Sequence, residues 1–425
     1  MTAFNASPRE FLSDLFKEAV AVADPMRVVA AHLPGRPKGR LMIIGAGKAS
    51  ARMAEAAEAH YGPSEGLVIT RYGYERPTQG IEIAQASHPV PDVAGEVATK
   101  RLLDLVSGLG ADDMVVALIS GGGSALLCAP VEGVSLDDKM AVNRALLASG
   151  APIAEMNVVR KHLSRVKGGQ LAAACYPARL LTLLISDVPG DNPADIASGP
   201  TVGESSTPQD AIDILERRRI ALPDHLRRAI CDASSVVPPS DARLSHAETR
   251  IIAAPSHSLA AATQIAKAAA VDVRDLGDAL EGEARDLGAE QARQAMSLQA
   301  AMTPTDKPIL LLSGGECTVT RRGDGVGGPN AEYVLAAAIA LNGQSGIHVL
   351  ACDTDGVDGA AEVAGAYAGP DVLSDAVSNG IDANAALAIN DAHSFFDAVG
   401  GQIVTGPTLT NVNDFRAILI LPASA

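Results

Sequence analysis

The feature that most constrains this fold is a series of short, continuous apolar runs separated by alanine-rich segments with helical periodicity. Runs of Val, Ile and Leu without polar alternation are typical of strands buried on both faces, as in a parallel sheet covered by helices. We therefore predict an α/β protein with parallel sheets. The predicted strands are, in chain order, LMIIG, GLVIT, MVVALIS, LLTLLIS, RIIAAPS, PILLLSGG and HVLACDT.

The chain is long enough for more than one domain, since 425 residues at about 150 residues per domain suggest two or three. Between residues 222 and 250 the pattern weakens into the stretch CDASSVVPPSDARLSHAET. We place a boundary there, which gives domains at residues 1–240 and 241–425. The stretches LISGGGSALL and LLSGGECTVT are weakly similar in sequence. This similarity fits either an internal duplication or the resemblance that parallel sheets produce without one.

Composition excludes several classes of partner. The formal net charge is −16 and aromatic residues are 3% of the chain, with no Trp, so nucleic acid and anionic membranes are poor partners. The five cysteines form no C-x-x-C pair, so neither a disulfide framework nor a zinc site is predicted. No uncharged apolar stretch reaches the roughly 18 residues of a membrane span. The polar leader into the first helix is unlike a signal peptide, and we expect a cytoplasmic protein.

A glycine-rich turn, GAGKAS, follows the first predicted strand. Such a turn before a helix exposes backbone N–H groups to an anion, and Lys48 stands at the start of the helix. Gly45 and Gly47 also approximate a dinucleotide fingerprint, but the second strand ends in Thr70-Arg71 rather than in an acidic residue. NADP therefore stays open and NAD is disfavoured. A solvated lysine beside an ordinary turn is the alternative to anion binding.

Two further stretches suggest anion binding. SGGGSA, residues 120–125, follows a predicted strand, and three consecutive glycines indicate either a second anion-binding turn or a merely tight one. MNVVRKHLSRVKGG, residues 156–169, predicts a helix with one basic, polar face, which is either a site for a small anion or a solvated surface. The polar face carries Asn157, Arg160, Lys161, Ser164 and Lys167.

Acidic turns follow two other predicted strands. SDVPGDNP places Asp187 and Asp191 just beyond a strand, where a carboxylate can hold Mg²⁺ or accept a hydroxyl proton, although Asx turns are the alternative. CDTDGVDG likewise places aspartates, Asp353 and Asp355, at the end of a predicted strand. Two glycine turns, a lysine at a helix start, a basic helix and strand-end aspartates together are the parts that phosphoryl transfer requires.

The sequence at this point resembles the glycerate 2-kinase family. The matching segments, which run in the family's order from residue 41 to residue 420, are IIGAGKAS, HPVPD, LISGGGSALL, MNVVRKHLSRVKGGQLA, ISDVPGDNPADIASGPT, LLSGGECTVT, GGPNAEY, DTDGVDG and GPTLTNVNDFRAIL. The resemblance implies a larger Rossmann-like N-terminal domain, a smaller α/β C-terminal domain and an active site in the cleft between them. It also implies phosphorylation of D-glycerate at the 2-hydroxyl with ATP and Mg²⁺, and Lys48 and Asp187 as catalytic residues.

The remaining candidate residues divide into two groups. We expect three aspartates to hold the metal: Asp191, Asp353 and Asp355. The candidates for contacts to substrate or phosphate are Gly45, Gly47, Ser120, Gly121, Gly122, Gly123, Ser124, Arg160, Lys161, Lys167, Asn192, Gly314, Gly315, Glu316 and Asn330.

One departure from the family matters. Many members have Arg where this chain has Pro329, so another cation must act if that arginine binds an anion. The candidates are Arg160, Lys161, Lys167 and Arg321. Two alternatives to the kinase stay open: an NADP-dependent hydroxypyruvate reductase and a non-catalytic sensor of phosphorylated sugar acids. The expected partners are D-glycerate and ATP, and a homodimer stays open.

Overall fold

The structure is a computed structural model that describes residues 7–359 and 361–423. Within these residues the chain forms two compact units. The parallel-sheet unit is Pro25–Ala253, and the mixed-sheet unit is made of residues 7–24 and 254–423. The boundary expected after residue 240 differs from this division in two ways. The strand Ala247–Ala253 pairs within the first sheet, and helix α1 (Pro8–Ala21) packs into the core of the mixed-sheet unit. The polar leader, residues 1–6, lies outside the described residues.

The parallel-sheet unit is built on a sheet with the strand order β3-β2-β1-β4-β5-β6, in which every pair is parallel. The central strands β1, β4 and β5 are apolar and buried along almost their whole length, as the continuous apolar runs predict. The strands are β1 (Leu41–Ala46), β2 (Glu65–Arg71), β3 (Ile81–Ala86), β4 (Met114–Ser120), β5 (Arg179–Ile185) and β6 (Ala247–Ala253).

The helices of this unit connect the strands. They are α2 (Pro25–Val28), α3 (Ser50–Tyr61), α4 (Val93–Val106), α5 (Gly123–Leu126), α6 (Leu136–Ala148), α7 (Ile153–His162), α8 (Gln170–Cys175), α9 (Pro208–Arg217) and α10 (Asp224–Arg228). Shorter helical turns are Ala30–His32, Pro189–Asp191, Ile196–Ser198, Ala229–Ala233 and Ala242–Leu244.

The register of the central strands decides which loops meet. Ala46 at the end of β1 pairs with Ile119 of β4, and Ser120 pairs with Ile185 at the end of β5. Because the three strands are parallel neighbours, the loops that follow them leave from the same edge of the sheet. In open α/β sheets this carboxyl-terminal edge is where ligands bind.

The mixed-sheet unit corrects one expectation, since its sheet is not parallel throughout. The strand order is β13-β12-β11-β14-β9-β7, and only the pair of β7 with β9 is parallel. The strand β14 lies between the predicted strands β9 and β11 and is antiparallel to both. An apolar run buried on both faces does not reveal the direction of its neighbour, which is why the sequence pattern failed here. The strands are β7 (Asp272–Asp275), β8 (Gly282–Glu283), β9 (Ile309–Gly315), β10 (Cys317–Thr318), β11 (Ile347–Asp353), β12 (Gly365–Ala368), β13 (Gln402–Ile403) and β14 (Asp414–Ile420).

Helices cover both faces of this sheet. Alternate residues of β9, β11 and β14 enter two separate cores, one of which includes α1. The helices that follow α1 in this unit are α11 (Pro255–Ala268), α12 (Ala284–Ala300), α13 (Pro329–Leu341), α14 (Val372–Ser378), α15 (Ala383–Ala388) and α16 (Ala392–Ala398). Among the helices that the structure describes, none is both long enough and apolar enough to span a membrane.

Candidate active site

The two glycine turns of the parallel-sheet unit pack directly on each other. The backbone N–H of Lys48 donates to the carbonyl of Gly121 at 2.8 Å, and the N–H of Ala49 donates to Oγ of Ser120 at 3.0 Å. Gly47 has φ +149°, and a Cβ there would lie 2.1 Å from Oγ of Ser120. Only glycine permits this approach, so the turns after β1 and β4 form one surface.

The second turn brings two side chains together. Gly122 has φ +80°, and a Cβ there would lie 3.0 Å from Cδ2 of His88 and 3.1 Å from Cγ of Lys48. The stem of Lys48 and the ring of His88 therefore both pack against this glycine. The predicted residues Gly45, Gly47, Lys48 and the turn from Ser120 to Ser124 lie together at the carboxyl-terminal edge of the sheet.

A cavity of about 220 Å³ opens beside this turn. Gly122, His88 and Ser124 line it, together with three basic residues: Lys139, Arg160 and Lys167. Arg160 and Lys167 are predicted anion-binding residues, whereas Lys139 was missed.

Each of these cations has a neutral partner. Nζ of Lys167 donates to the carbonyls of Ser124 and Leu127 at 2.9 and 3.2 Å. Nζ of Lys139 lies 3.6 Å from Sγ of Cys128. Burial lowers the pKa of Lys139, and it holds the pKa of Lys167 well below its usual range, where the charge of Lys139 adds to the effect. An anion that enters the cavity would therefore favour the charged forms of these lysines, which burial alone disfavours.

Sequence reasoning missed Lys139 because the stretch SLDDKMAVNR is rich in charged residues, which is typical of a solvent-exposed helix start. A signal was nevertheless present. Lys139, Val142 and Leu146 have helical spacing, and they are the buried residues of α6. A lysine on the apolar stripe of an amphipathic helix is the pattern that would have identified it.

The helix predicted over residues 156–169 is shorter in the structure, because α7 ends at His162 and both Ser164 and Lys167 follow it. Two other polar residues of this stretch, Lys161 and Ser164, do not line the cavity. Lys161 is buried and pairs with the carboxylate of Glu204. Burial alone would raise the pKa of Glu204, but hydrogen bonds, first from Lys161, lower it overall. Ser164 is buried, and its hydroxyl accepts from the N–H of Val166. Lys161 and Ser164 are thus bound within the fold.

The acidic loop after β5 is held next to the second glycine turn. Oγ of Ser124 and Oγ of Ser198 are 2.8 Å apart, and Ser198 donates to Oδ1 of Asn157 at 3.2 Å. The amides of Asn157 and Asn192 in turn donate to the two carboxylate oxygens of Asp195, at 3.1 and 2.7 Å. Asn192 itself is exposed.

The backbone of this loop is strained. Asp191, Ala197 and Ser198 have φ of +53°, +52° and +60°, a region that residues with a Cβ rarely adopt. Such strain clusters at functional sites. Asp187 is half-buried at the strand end, and Oδ1 of Asp191 is buried without a hydrogen-bond partner in the described part of the chain.

The second acidic turn, in the mixed-sheet unit, is organised by backbone hydrogen bonds. Oδ1 of Asp353 accepts from the N–H of Asp355, and Oδ1 of Asp355 accepts from the N–H of Val357, both at 2.8 Å. These are the Asx turns that the sequence left as the alternative. Across residues 7–359 and 361–423, no group of three or more His, Cys, Asp or Glu side chains is arranged to hold a metal.

Asn330 belongs to a buried polar network. Its amide donates to Oδ1 of Asp414 at 2.7 Å, and its backbone N–H donates to Oδ1 of Asp358 at 2.9 Å. Arg416 pairs with Asp414 at 2.7 Å, and its guanidinium donates to the carbonyls of the predicted residues Gly314 and Gly315. Burial raises the pKa of Asp414, against the attraction of Arg416. Glu316 follows these glycines and is exposed.

Comparison with known proteins matches both units. The model of a domain of unknown function, DUF4147, matches residues 11–231, and the MOFRL family model matches residues 309–414. The D-glycerate 2-kinase of Thermotoga maritima is 37% identical over 418 residues, which are 98% of this chain and 99% of that protein. The chain belongs to the glycerate 2-kinase family.

Other members of the family extend the comparison. The crystal structure of the glycerate kinase from Thermotoga maritima superposes with a TM-score of 0.89 at 37% identity, covering 98% of this chain and 100% of that one. A protein of Agrobacterium vitis, whose name assigns it provisionally to the hydroxypyruvate reductases, is 50% identical over 424 residues, with 99% of this chain and 96% of that protein covered. Both names occur among relatives of nearly full length.

Proposed function

We propose that this protein is an enzyme that phosphorylates D-glycerate at the 2-hydroxyl with ATP, giving 2-phosphoglycerate and ADP. The observation that carries the proposal is the meeting of two glycine turns, Lys48 and a cationic cavity at one edge of a parallel sheet. Phosphoryl transfer needs little more from a protein than aligned reactants and neutralised charge. The names of the Thermotoga maritima and Pyrococcus horikoshii relatives, D-glycerate 2-kinase and glycerate 2-kinase, support the same reaction.

Two residues have proposed catalytic roles. Lys48 would neutralise charge on the transferred phosphoryl group, since it stands just before the helix that begins at Ser50 and its stem packs on the second glycine turn. Asp187 would orient the 2-hydroxyl and take its proton as the oxygen–phosphorus bond forms, since it follows the rigid end of β5. Both roles are inferred from position and chemistry.

The proposed reaction also uses Mg²⁺, whose chemistry is to neutralise charge on phosphate oxygens. Asp191 fits a ligand, because its Oδ1 is buried without a hydrogen-bond partner among the described residues. Asp353 and Asp355 are weaker candidates, because each already uses one oxygen in an Asx turn. Mg²⁺ commonly takes one or two protein carboxylates and completes its shell with phosphate and water, so a cage of three carboxylates is not required.

The alternative function is hydroxypyruvate reduction with NADPH, which the name of the Agrobacterium vitis relative suggests. In that case Arg71, at the end of β2, would bind the 2′-phosphate of NADPH. However, the guanidinium of Arg71 lies 4.5 Å from the ring centroid of Tyr74, and Thr70 donates to the carbonyl of Gly47. These contacts disfavour the alternative.

A coupled assay tests the proposal. Purified protein receives D-glycerate, ATP and Mg²⁺, and enolase without a phosphoglycerate mutase reports 2-phosphoglycerate specifically. A parallel reaction contains hydroxypyruvate and NADPH. Product only in the second reaction would overturn the kinase assignment. The cytoplasmic location and the homodimer remain predictions, and size-exclusion chromatography with light scattering tests the latter.

A further inference from the structure

The cationic cavity of the parallel-sheet unit has an unusual charge balance. Lys139 and Lys167 are buried, with 8% and 1% of their surfaces exposed, and Arg160 is half-buried beside them. Buried cations in proteins are normally paired with carboxylates. Here the three share the wall of one cavity.

None of the three is paired with a carboxylate in the parts of the chain that the structure describes. Lys167 donates to two carbonyl groups, Lys139 contacts a thiol, and Nε of Arg160 donates to Oδ1 of Asn143 at 2.8 Å. Glu96 attracts Lys139 only through space. In contrast, the neighbouring buried Lys161 has its own carboxylate in Glu204. Two buried lysines and a half-buried arginine without acid partners would be costly in a fold with no use for them, so they point to an anionic ligand.

The size of the cavity restricts that ligand. Its volume is about 220 Å³, which is below the roughly 300–1,000 Å³ typical of pockets for drug-sized molecules. A small organic acid fits wholly within this volume. Val142, Leu146 and Val159 also line the cavity, so its wall is partly apolar.

The cavity adjoins the proposed catalytic residues. Gly122 lines it, and the stem of Lys48 packs on the same glycine. An acid held there lies next to the turn that we expect to receive the transferred phosphoryl group. This position fits the acceptor better than the nucleotide.

We propose that the cavity is the subsite for the acid end of the acceptor, and that Lys139, Arg160 and Lys167 select acids with two negative charges close together. The identity of the acid rests on the proposed kinase function. A single carboxylate leaves most of the positive charge uncompensated, whereas the carboxylate and phosphate of 2-phosphoglycerate, or the two carboxylates of malonate, satisfy more of it. The phosphorylated product therefore binds more tightly than D-glycerate.

Calorimetry without nucleotide tests the selectivity. We expect 2-phosphoglycerate to bind with a Kd about 10-fold lower than that of D-glycerate, because one more charge-assisted hydrogen bond stabilises a complex by at least this much. Malonate should bind more tightly than lactate, and ADP should not displace malonate. Equal affinities for the monoanions and the dianions would overturn the proposal. Displacement by ADP would also overturn it and would assign the cavity to nucleotide phosphate.

Substitution of Lys139 tests the residues. Lys139→Met should raise the Kd for 2-phosphoglycerate at least about 10-fold and should keep or raise the Tm of the unliganded protein, since it removes an unpaired buried charge. The matched control is Lys100→Met, on the exposed side of α4, which should change neither value. Arg160→Met gives a second, independent variant if Lys139→Met does not fold. Unchanged affinity in the folded variants refutes the inference, and a lower Tm with unchanged affinity shows a structural role instead.

The outcomes separate this inference from the proposed function. Binding is measured without ATP, so selective binding of dianions in a protein that forms no 2-phosphoglycerate would reject the kinase and keep the subsite. If the protein is an active kinase but its Lys139→Met and Arg160→Met variants keep their affinity for 2-phosphoglycerate, the kinase stands and the subsite is rejected.

Discussion

Substitution of Lys161 distinguishes a structural lysine from a ligand-binding one. The side chains of Lys161 and Glu204 are 4% and 12% exposed, so this is a buried ion pair. Lys161→Met would leave the carboxylate of Glu204 with hydrogen bonds from Ser206, whose N–H donates at 2.8 Å and whose side chain also contributes. Removing one partner of a buried pair typically costs about 3–5 kcal/mol. Because Glu204 keeps a donor and some solvent, we expect the lower end, about 3 kcal/mol.

This loss is large enough to measure by thermal and urea denaturation. For a unit of this size, about 3 kcal/mol corresponds to a fall in Tm of roughly 6–12 °C. Lys17→Met is the matched control, because Lys17 and its partner Asp14 are 71% and 65% exposed, and such pairs contribute less than about 1 kcal/mol. The double variant Lys161→Met with Glu204→Met should recover most of the stability, because it removes the unpaired carboxylate as well.

The ion pair also predicts a pH dependence. The pKa of Glu204 lies below its ordinary value of 4.5, so the unfolded state binds more protons than the folded state as the pH falls through this range. The stabilisation is therefore complete above about pH 4.5 and is lost as the pH falls through the pKa of the folded state. The stability difference between wild type and Lys161→Met should shrink in the same window. A variant with unchanged Tm at neutral pH, or a double variant no more stable than the single one, would refute the structural role.

Three further predictions concern the proposed catalytic residues and their turn. Lys48→Ala should lower kcat by roughly 10²-fold or more, as the loss of a transition-state donor does, with little change in Tm; near-normal kcat would remove its proposed role. Asp187→Asn should depress kcat and leave the Mg²⁺ dependence nearly unchanged, whereas Asp191→Asn should raise the Mg²⁺ concentration for half-maximal rate; a Mg²⁺ titration with the opposite pattern would exchange the two roles. Gly122→Ala places a Cβ at φ +80° against His88 and Lys48, at a backbone cost of about 1–2 kcal/mol, and should raise the KM for D-glycerate and lower Tm together; steady-state kinetics and a melting curve with no change in either would contradict the close packing.

The sequence predicts the parallel sheet well because its central strands are buried on both faces. The continuous run MVVALIS is buried at every position of β4, and neighbouring parallel strands place their following loops at one edge. The expectation that the two glycine turns lie together follows from that geometry. The mixed sheet could not be predicted from local sequence. Its antiparallel pairs form because β14, which is distant in sequence, lies between β9 and β11 and runs opposite to both.

The candidate site shows a similar limit. The predicted helix over residues 156–169 ends at His162, so Lys167 lies in the turn that follows it. Helical spacing marks Arg160 and Lys161 as polar, but it cannot distinguish a lysine that pairs with a carboxylate from one that does not. Lys161 pairs with Glu204, which is distant in sequence, and so it is not one of the residues that line the cavity. Lys139 joins the cavity from another helix. In both cases the deciding contact is tertiary, and no local pattern contains it.

The family departure at Pro329 can be interpreted from the charges around it. Pro329 begins α13, where the missing N–H of proline carries no penalty. The next two backbone N–H groups, of Asn330 and Ala331, donate to the carboxylate of Asp358, which His393 also contacts at 3.1 Å. This helix start is therefore already neutralised by a carboxylate of its own unit, and an arginine is not needed there to hold the helix. The cavity beside the second glycine turn, in contrast, has cations that lack an acid among the described residues. In the proposed subsite, Lys139 of the parallel-sheet unit, rather than a residue at position 329, therefore supplies a cation to the anionic acceptor.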